Sequence, residues 1–403
     1  MQKYYSANGV GCHGTIFRFM KVYFKNLDGI RFIAAFLVVL HHAFFFKLGY
    51  SPGSHYLNHI LEDAGRMGVN LFFVLSGFLI SYLLFIEKDN TQTISYRNFY
   101  IRRILRIWPL YLVYGSMLIF LSPYILSKMG LGANIDFSTM LINFLFLLLF
   151  AVNMQLAFCP PNSGIFEISW SVCIEEQFYL IWPIIMNRFR NHLLQVYVVM
   201  VLIRLLLRIL CFVIPEFYPV SFDKLVSMNY LLIFDKLDLF GGGMFVAWFY
   251  YNRERYQDIY RKIMHPAVQI SMIIITIAYS LSLIPLPWGL SYFGDHLIVT
   301  ILFGHLILTA IAENSVLNLE NTVMKTLGKI SYGIYLFHTA ICQIVLTIFR
   351  KYFRNPDLRL LYDVGYPFLC TLITCILAYI SYEYFEKVFL RTKHKFAVVK
   401  TRV

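Results

Sequence analysis

The chain has 403 residues, of which 59% are hydrophobic and 14% are charged. This composition, with a mean hydropathy of +0.64, excludes an ordinary soluble protein and indicates a polytopic membrane protein. The net charge of +13 does not indicate nucleic-acid binding, because the basic residues cluster between apolar segments, as membrane orientation and contact with anionic lipid headgroups require.

Eleven apolar stretches, each near the length needed to cross a bilayer, follow one another along the chain. They predict an all-α polytopic helical bundle without internal repeats or a soluble domain. The stretches lie at 30–47, 68–86, 107–127, 139–157, 169–187, 193–214, 231–251, 267–285, 292–312, 330–349 and 364–382. The seven cysteines fall mostly inside apolar segments and indicate neither a disulfide framework nor a metal site.

The distribution of Lys and Arg predicts the orientation of the bundle. The first 27 residues, the segments "YRNFYIRRILR" and "NRERYQDIYRK", and the tail "RTKHKFAVVKTRV" are basic, whereas 48–67 and 286–296 are not. Both termini are therefore predicted to be cytoplasmic, in the cell (inner) membrane. This placement needs an even number of crossings, so one of the three stretches between Arg106 and Arg188 should fail to cross fully. We expect ten spans.

Three regions follow from this pattern: a cytoplasmic N-terminal extension at 1–25, a membrane domain at 26–386 and a basic cytoplasmic tail at 387–403. The start does not read as a cleavable signal peptide, because its first long apolar run begins some thirty residues in. Met20 opens a segment that looks like a natural beginning, so we expect 1–19 to be dispensable.

The first polar feature lies in "LDGIRFIAAFLVVLHH". Arg31 and His42 are eleven residues apart, very nearly three helical turns, and should project from one face roughly 16 Å apart along the axis. Arg31 can sit at the membrane edge, but His42 cannot. A histidine near mid-membrane is costly and is a candidate for function, whereas the adjacent His41 points elsewhere and is the weaker candidate.

The second feature is "RRILRIWP", which contains Arg102, Arg103 and Arg106. Such a segment can be a topology anchor and nothing more. However, Arg103 and Arg106 have i, i+3 spacing on one helical face and could grip a multiply charged phosphate through several donors. A cytoplasmic phosphorylated donor would fit.

The third feature is "ISWSVCIEEQFYLIWP", in which Glu175 and Glu176 lie inside a span. Adjacent carboxylates point to different faces, so they do not resemble an acid and base sharing one substrate. Intramembrane glutamates need partners, and the arginines and His42 are the obvious ones. A structural ion pair and a catalytic role both remain open for each glutamate.

The fourth feature, "FDKLDLFGGGMFVAW", places Asp235, Lys236 and Asp238 before three glycines. The glycines predict close helix approach, and neutralisation between Lys236 and the aspartates is the favoured interpretation.

The fifth feature, "LGKISYGIYLFH", places Ser331, Tyr332, Tyr335 and His338 along a helix. These side chains could line a polar groove or bond to a neighbouring helix.

Together with "GVNLFFVLSGFLIS" and "FYIRRILRIWPLYL", these motifs occur in the order and spacing of the membrane-bound type 3 acyltransferases, which the chain resembles over roughly 26–386. That family O-acylates sugars and other hydroxyl acceptors, typically in bacterial cell-surface polysaccharides. The resemblance implies ten membrane helices, an acyl-coenzyme A donor from the cytoplasm, acetyl-CoA being commonest, and a sugar or glycolipid acceptor at the outer face. From the residues themselves we expect no nucleic-acid partner and no metal.

The family's first-span Arg and His fall on Arg31 and His42, and its Arg-x-x-Arg pair falls on Arg103 and Arg106. The family's arginine-x-aspartate motif departs here, because Lys236 precedes Asp238 and a lysine cannot act as a planar fork. His42 would be the general base for the acceptor hydroxyl, or would itself be acylated, and Arg31 would stabilise the oxyanion or hold the donor.

The predicted site comprises His42, Arg31 and Glu176 as catalytic residues, Arg102, Arg103 and Arg106 as donor-binding residues, and Glu175, Asp238, Tyr332 and His338 as substrate-binding residues. Two other classes remain open. One is a transporter or flippase for sugars or lipid-linked intermediates, which should often show an internal repeat. The other is a polysaccharide polymerase or ligase, which would place its large basic loops outside.

Overall fold

The structure is a computed structural model that describes residues 21–47, 55–128, 136–160, 167–353, 360–396 and 400–401. The predicted dispensability of 1–19 therefore concerns residues outside the described ones. The described part is almost wholly helical. Its α-helices are α1 Leu27–Lys47, α2 His55–Thr91, α3 Tyr96–Phe120, α4 Ser122–Lys128, α5 Phe137–Leu148, α6 Val152–Phe158, α7 Trp170–Arg188, α8 Leu193–Phe217, α9 Phe222–Tyr230, α10 Ile233–Tyr251, α11 Gln257–Ile263, α12 Pro266–Ser280, α13 Asp295–Ile311, α14 Thr322–Lys329, α15 Ser331–Tyr352, α16 Tyr366–Ser381 and α17 Lys387–Lys393.

Short helical turns of other types join several of these helices. The three π-helical turns are Leu290–Gly294, Leu361–Gly365 and Tyr382–Glu386. The three 3-10 turns are Glu167–Ser169, Arg190–His192 and His394–Phe396. Two strands complete the described secondary structure, β1 Lys21–Val22 and β2 Lys400–Thr401.

Within the described ranges, seven helical segments are long and apolar enough to cross a membrane, and the bent pair α11 and α12, with a 58° angle between them, makes up to eight. The protein is therefore an all-α, multi-pass membrane protein, as the composition predicts. The helices α7 and α10 have 19 residues each, about 28 Å at 1.5 Å per residue, but they are not counted among the apolar spans. The count of ten stays a prediction.

One apolar stretch between Arg106 and Arg188 is interrupted. The stretch predicted at 139–157 divides into α5, of 12 residues, and α6, of 7 residues, with Phe150 at a φ of 50° between them. Twelve residues extend only about 18 Å, well short of the roughly 30 Å hydrocarbon core. This segment is therefore the one of the three that does not form a single full-length helix.

The centre of the bundle is a close crossing of α2 and α10. A Cβ atom added at Gly77 would overlap the carbonyl oxygen of Phe240, and one added at Gly243 would overlap that of Val74. The two backbones can approach this closely only because both residues lack side chains. The predicted use of the glycine cluster for close helix approach is confirmed.

The two ends of the described chain meet on one side of the bundle. β1 and β2 pair in parallel, with Lys21 opposite Lys400. The turn Tyr382–Glu386 leads directly into α17, which packs against α3, and Arg102 on α3 donates a hydrogen bond of 2.7 Å to the carbonyl oxygen of Phe396. The start of the predicted tail at 387 therefore continues the membrane domain without a break in the helical backbone.

Candidate active site

A cavity of about 110 Å³ lies between α1, α2, α3, α7 and α15. Its walls bring together half of the ten predicted site residues, from four of these helices. They are Arg31, Arg103, Arg106, Glu175 and Tyr332. The remaining polar lining comes from serine and tyrosine hydroxyls, at Ser76, Ser171, Tyr179, Ser331 and Tyr335.

Arg31 enters the cavity from the first turns of α1. Its Nη1 donates to Asp28 Oδ1 at 2.8 Å, in an i, i+3 ion pair that places the carboxylate at the positive end of the helix dipole. A guanidinium has five N–H donors in a fixed plane, and this pair uses one of them. Arg31 can therefore hold its position and still donate hydrogen bonds into the cavity.

Arg103 and Arg106 line the cavity from α3, one turn apart. The guanidinium carbon of Arg103 lies 5.6 Å from the ring centroid of Phe99 and 5.5 Å from that of Tyr179, and its buried Nε has no hydrogen-bond partner. Arg106 forms no hydrogen bond or ion pair with any described residue. Both arginines are half-buried. Because a guanidinium that is partly removed from water without a counter-ion is costly, two such groups around one cavity favour an anion as its ligand.

The two glutamates of α7 face different surroundings, as their adjacency predicts. Glu175 lines the cavity and accepts hydrogen bonds from Ser76 at 2.8 Å and from Tyr179 at 3.2 Å. Glu176 lies behind it, accepts from the indole of Trp108 at 2.9 Å, and has its other oxygen buried without a hydrogen bond.

A structural ion pair, one of the two roles left open for these glutamates, is not formed with the arginines or with His42 among the described residues. Hydroxyl and indole groups take the place of the cations. Arg103 and Arg106 act on Glu175 only through longer-range electrostatics. The catalytic role of Glu176 stays a prediction.

The helix α15 closes one end of the cavity. Tyr332 donates to the carbonyl oxygen of Ile107 at 2.9 Å, and Tyr335 donates to that of Ile168 at 3.0 Å. Ser171 bonds to the Tyr335 hydroxyl at 2.6 Å. The tyrosines at this end are therefore held in place by backbone and side-chain partners.

Two histidines meet beyond Tyr335. His338 Nε2 on α15 lies 3.2 Å from His42 Nδ1 on α1, and the ring of His338 lies 5.6 Å from that of Tyr335. His338 is fully buried, whereas His42 is half-buried. Neither histidine lines the cavity, so the structure brings His42 and His338 to each other and separates them from Arg31 by the tyrosine. Next to them, His41 bonds to the carbonyl oxygen of Leu61.

Two predicted site residues lie away from the cavity. Arg102 pairs with Glu87 at 3.3 Å and donates to the carbonyl oxygen of Phe396. Asp238 is buried, 2.9 Å from His296 Nδ1 and 3.5 Å from Arg204 Nε. The predicted contacts of Arg102 with the acyl-CoA donor and of Asp238 with the substrate stay predictions.

Asp238 belongs to a largely buried ion network whose members on α2, α8 and α13 were not predicted from the sequence. Lys236 pairs with Asp235 at 2.7 Å, which confirms the predicted neutralisation, and Arg208 pairs with the same carboxylate at 3.0 Å. The network joins four helices and balances four cations against four carboxylates: Arg66, Arg204, Arg208 and Lys236 with Asp63, Asp235, Asp238 and Asp295. Two arginines at i, i+4 in the apolar run "VLIRLLLRIL" are the signal that could have found it.

Lys393, which the sequence analysis also missed, adds a further basic side chain. It lies on α17, half-buried, within electrostatic range of Arg31, Arg102, Arg103 and Arg106. It forms no ion pair with a described residue. We refer to Arg31, Arg103, Arg106 and Lys393 as the basic cluster.

Fold and site together define a multi-pass helical membrane protein with an arginine-lined cavity next to a histidine pair. Residues 24–383 match the family described as "Acyltransferase domain", the type 3 acyltransferases. The chain belongs to this family of enzymes, as its motifs predict.

Several curated proteins are similar to this chain. The peptidoglycan O-acetyltransferase OatA of Listeria monocytogenes is 30% identical over 170 residues, 41% of this chain and 24% of that protein. YrhL of Bacillus subtilis, provisionally named a peptidoglycan O-acetyltransferase, is 26% identical over 91% of this chain and 54% of its own length. A provisionally named O-acetyltransferase of Staphylococcus aureus strain COL is 25% identical over 91% of this chain and 57% of its own. The chain thus spans little more than half the length of these last two relatives. No solved structure matches it.

Proposed function

We propose that this protein is a membrane O-acetyltransferase that moves an acetyl group from cytoplasmic acetyl-CoA to a sugar hydroxyl of a cell-surface polysaccharide or glycolipid. The observation that carries the proposal is the pair Arg103 and Arg106, which face the cavity without anionic partners among the described residues. Family membership and the names of the relatives support an acetyl group and a peptidoglycan-like acceptor. A transporter or flippase is not favoured.

Arg103, Arg106 and Lys393 of the basic cluster would hold the phosphates of the donor. A cavity of about 110 Å³ is much smaller than the roughly 300 to 1,000 Å³ of a site that encloses a whole drug-sized ligand. Only the acyl end of the donor would therefore enter it, with the phosphates at its mouth. Arg103 suits this role because a planar guanidinium recognises phosphate through parallel hydrogen bonds.

The chemistry would use His42 as a general base. His42 takes the proton of the acceptor hydroxyl while the hydroxyl oxygen attacks the thioester carbon, so an oxygen–carbon bond forms as the carbon–sulfur bond breaks. The same proton then passes to the leaving sulfur, which restores neutral His42 and gives coenzyme A. Arg31 would stabilise the oxyanion that develops on the carbonyl oxygen.

The orientation is part of the proposal. Arg31 lies at the start of α1, and the basic cluster and both ends of the described chain lie on the same side of the bundle, which supports entry of the donor from a cytoplasmic face. His42 lies near the other end of α1, on the side where a surface acceptor would arrive. The membrane would be the cell membrane, with both termini cytoplasmic.

The test is transfer of labelled acetyl from acetyl-CoA to peptidoglycan fragments by the purified protein in proteoliposomes. Arg103→Ala combined with Arg106→Ala should raise the KM for acetyl-CoA by about tenfold or more, because each lost charged hydrogen bond weakens binding by about 1.5–3 kcal/mol. Arg97→Ala, which removes an exposed arginine of the same helix, is the matched control and should leave KM unchanged. No transfer from any short-chain acyl-CoA, or an unchanged KM in the double variant, would refute the proposal.

A further inference from the structure

We infer that His338 is a positioning residue that fixes the tautomer and ring orientation of His42, so that His42 Nε2 presents its lone pair to the hydroxyl group of the sugar substrate. The inference rests on the proposed function of His42 as the base. It makes His338 the hydrogen-bond partner of the base, in place of the substrate-binding role predicted from the sequence.

The hydrogen bonds of His338 determine which of its nitrogens carries the proton. His338 Nδ1 lies 2.6 Å from the carbonyl oxygen of Tyr335, which can only accept, so Nδ1 is the N–H donor. A neutral imidazole carries one N–H, so Nε2 of His338 holds a lone pair. This fully buried nitrogen points to His42 Nδ1, 3.2 Å away.

The same logic then applies to His42. Its Nδ1 lies 3.0 Å from the carbonyl oxygen of Val38 and 3.2 Å from His338 Nε2, and both of these are acceptors. His42 Nδ1 must therefore carry the proton and share it between them. Nε2 is left with the lone pair, and it has no hydrogen-bond partner among the described residues. It is the nitrogen that can take a proton from a hydroxyl.

The arrangement also suits the protonated state of His42. When Nε2 gains a proton, the Nδ1–H remains bonded to two acceptors, so the ring need not turn during the reaction. A histidine base in other enzymes is oriented by a carboxylate or a carbonyl on its second nitrogen. Here a neutral imidazole does so, which avoids burying another charge within the bilayer.

The expected size of the effect follows from the remaining acceptor. Without His338, the carbonyl oxygen of Val38 still accepts from His42 Nδ1, but nothing fixes the ring from α15. Loss of an orienting partner typically costs about 10- to 100-fold. Removing His338 should therefore lower kcat less than removing His42.

The experiment compares wild type, His42→Ala, His338→Leu and His338→Gln in the proteoliposome assay. His338→Leu should lower kcat by about 10- to 100-fold with an unchanged KM for acetyl-CoA. His338→Gln should restore most of the activity, because its side-chain carbonyl oxygen can accept from His42 Nδ1. His192→Leu removes an exposed histidine and is the control. Wild-type kcat in His338→Leu, or equal losses in the leucine and glutamine variants, would overturn the inference.

A second measurement does not depend on activity. Nitrogen-15 spectra of histidine-labelled protein in nanodiscs, with the His42 signals assigned from the His42→Ala difference, should show the Nδ1–H tautomer in wild type and in His338→Gln. His338→Leu should give a mixture. An Nε2–H tautomer of His42 in wild type would overturn the inference even if no substrate that receives the acetyl group is found. If His42→Ala transfers acetyl at the full rate while wild type shows the Nδ1–H tautomer of His42, the base assignment is refuted and the inferred geometry of the two histidines stands.

Discussion

Arg31 and His42 lie three turns apart on α1, in two different environments. Arg31 lines the arginine-rich cavity, whereas His42 pairs with His338 beyond Tyr335. One helix therefore connects the arginine-lined cavity to the histidine pair. In the proposed reaction, the acyl group must reach the boundary between these two environments, where Tyr335 stands.

Replacing Arg31 tests its role at this boundary. Arg31→Ala should lower kcat by about 100-fold with little change in the KM for acetyl-CoA, since one oxyanion donor contributes about 10²- to 10³-fold. Steady-state rates of labelled acetyl transfer measure this. Asp28→Asn is the control, because it removes the negative charge beside Arg31 and leaves the guanidinium in place. If Asp28→Asn loses as much activity as Arg31→Ala, the ion pair at the helix start matters and the oxyanion role is wrong.

Lys393 should contribute to donor binding through its charge. Lys393→Ala should raise the KM for acetyl-CoA by about three- to tenfold at low salt and leave kcat unchanged, because one basic side chain that can pair with the donor's phosphates is lost from the basic cluster. The difference should shrink at high salt. Lys387→Ala, on the same helix but paired with Glu383, is the matched control. Equal effects of the two substitutions would assign the loss to the packing of α17.

The sequence predicts most of the fold because hydropathy alone marks the long helices. It does not locate the interruption between α5 and α6, because the run "LLLFAVNM" contains neither glycine nor proline and the positive φ falls on Phe150. The backbone closes α5 there with hydrogen bonds from Phe150 N–H to the carbonyl oxygen of Leu147 at 3.1 Å and from Ala151 N–H to that of Phe146 at 2.9 Å, a cap in which glycine is the usual residue.

The candidate site is predictable in part. Arg31, Arg103, Arg106, Glu175 and Tyr332 do meet at one cavity. The pairing of the two histidines could not be deduced, since they are 296 residues apart and a single sequence carries no contact information across that separation. Tyr179 had a usable signal, because it follows Glu175 by four residues and lies one turn away on the same face.

The crossing of α2 and α10 should be intolerant of side chains. Gly243→Ala should lower the free energy of unfolding by about 1–3 kcal/mol, because the new methyl group would overlap the carbonyl oxygen of Val74. Thermal unfolding in detergent measures the change. Gly289→Ala is the control, since nothing lies within 4 Å of the added methyl group and its φ of −60° suits alanine. Equal melting temperatures for Gly243→Ala and wild type would contradict the tight crossing.

The buried ion network should stabilise the bundle as a unit. Asp235→Asn leaves Lys236 and Arg208 without their shared counter-ion and should cost about 3–5 kcal/mol, seen as a lower melting temperature. Adding Lys236→Met should recover part of the loss, because it removes one uncompensated charge. If Asp235→Asn instead melts like wild type but loses its affinity for the glycan acceptor, the network binds substrate and is not structural.

Glu320, which accepts a hydrogen bond from the Asn26 backbone directly before α1, should make the stability of the fold depend on pH. Burial alone would raise the pKa of its carboxyl group, but hydrogen bonds from the Asn26 backbone N–H, Lys325 and Tyr23 hold that pKa below its ordinary value. A carboxyl group with a depressed folded-state pKa stabilises the fold above its unfolded pKa of about 4.3, and this stabilisation is lost as the pH falls through the folded-state pKa.

Glu320→Gln should therefore melt at a lower temperature than wild type at pH 7, and the difference should shrink as the pH falls below about 4.3. Paired melting curves between pH 7 and pH 3 measure it, and taking the difference cancels the titration of groups common to both proteins. Glu254→Gln, which removes an exposed carboxyl group, is the matched control and should show no such trend. A difference for Glu320→Gln that stays constant over the whole range would mean that the side chain acts through its shape and hydrogen bonding, and that its charge contributes nothing.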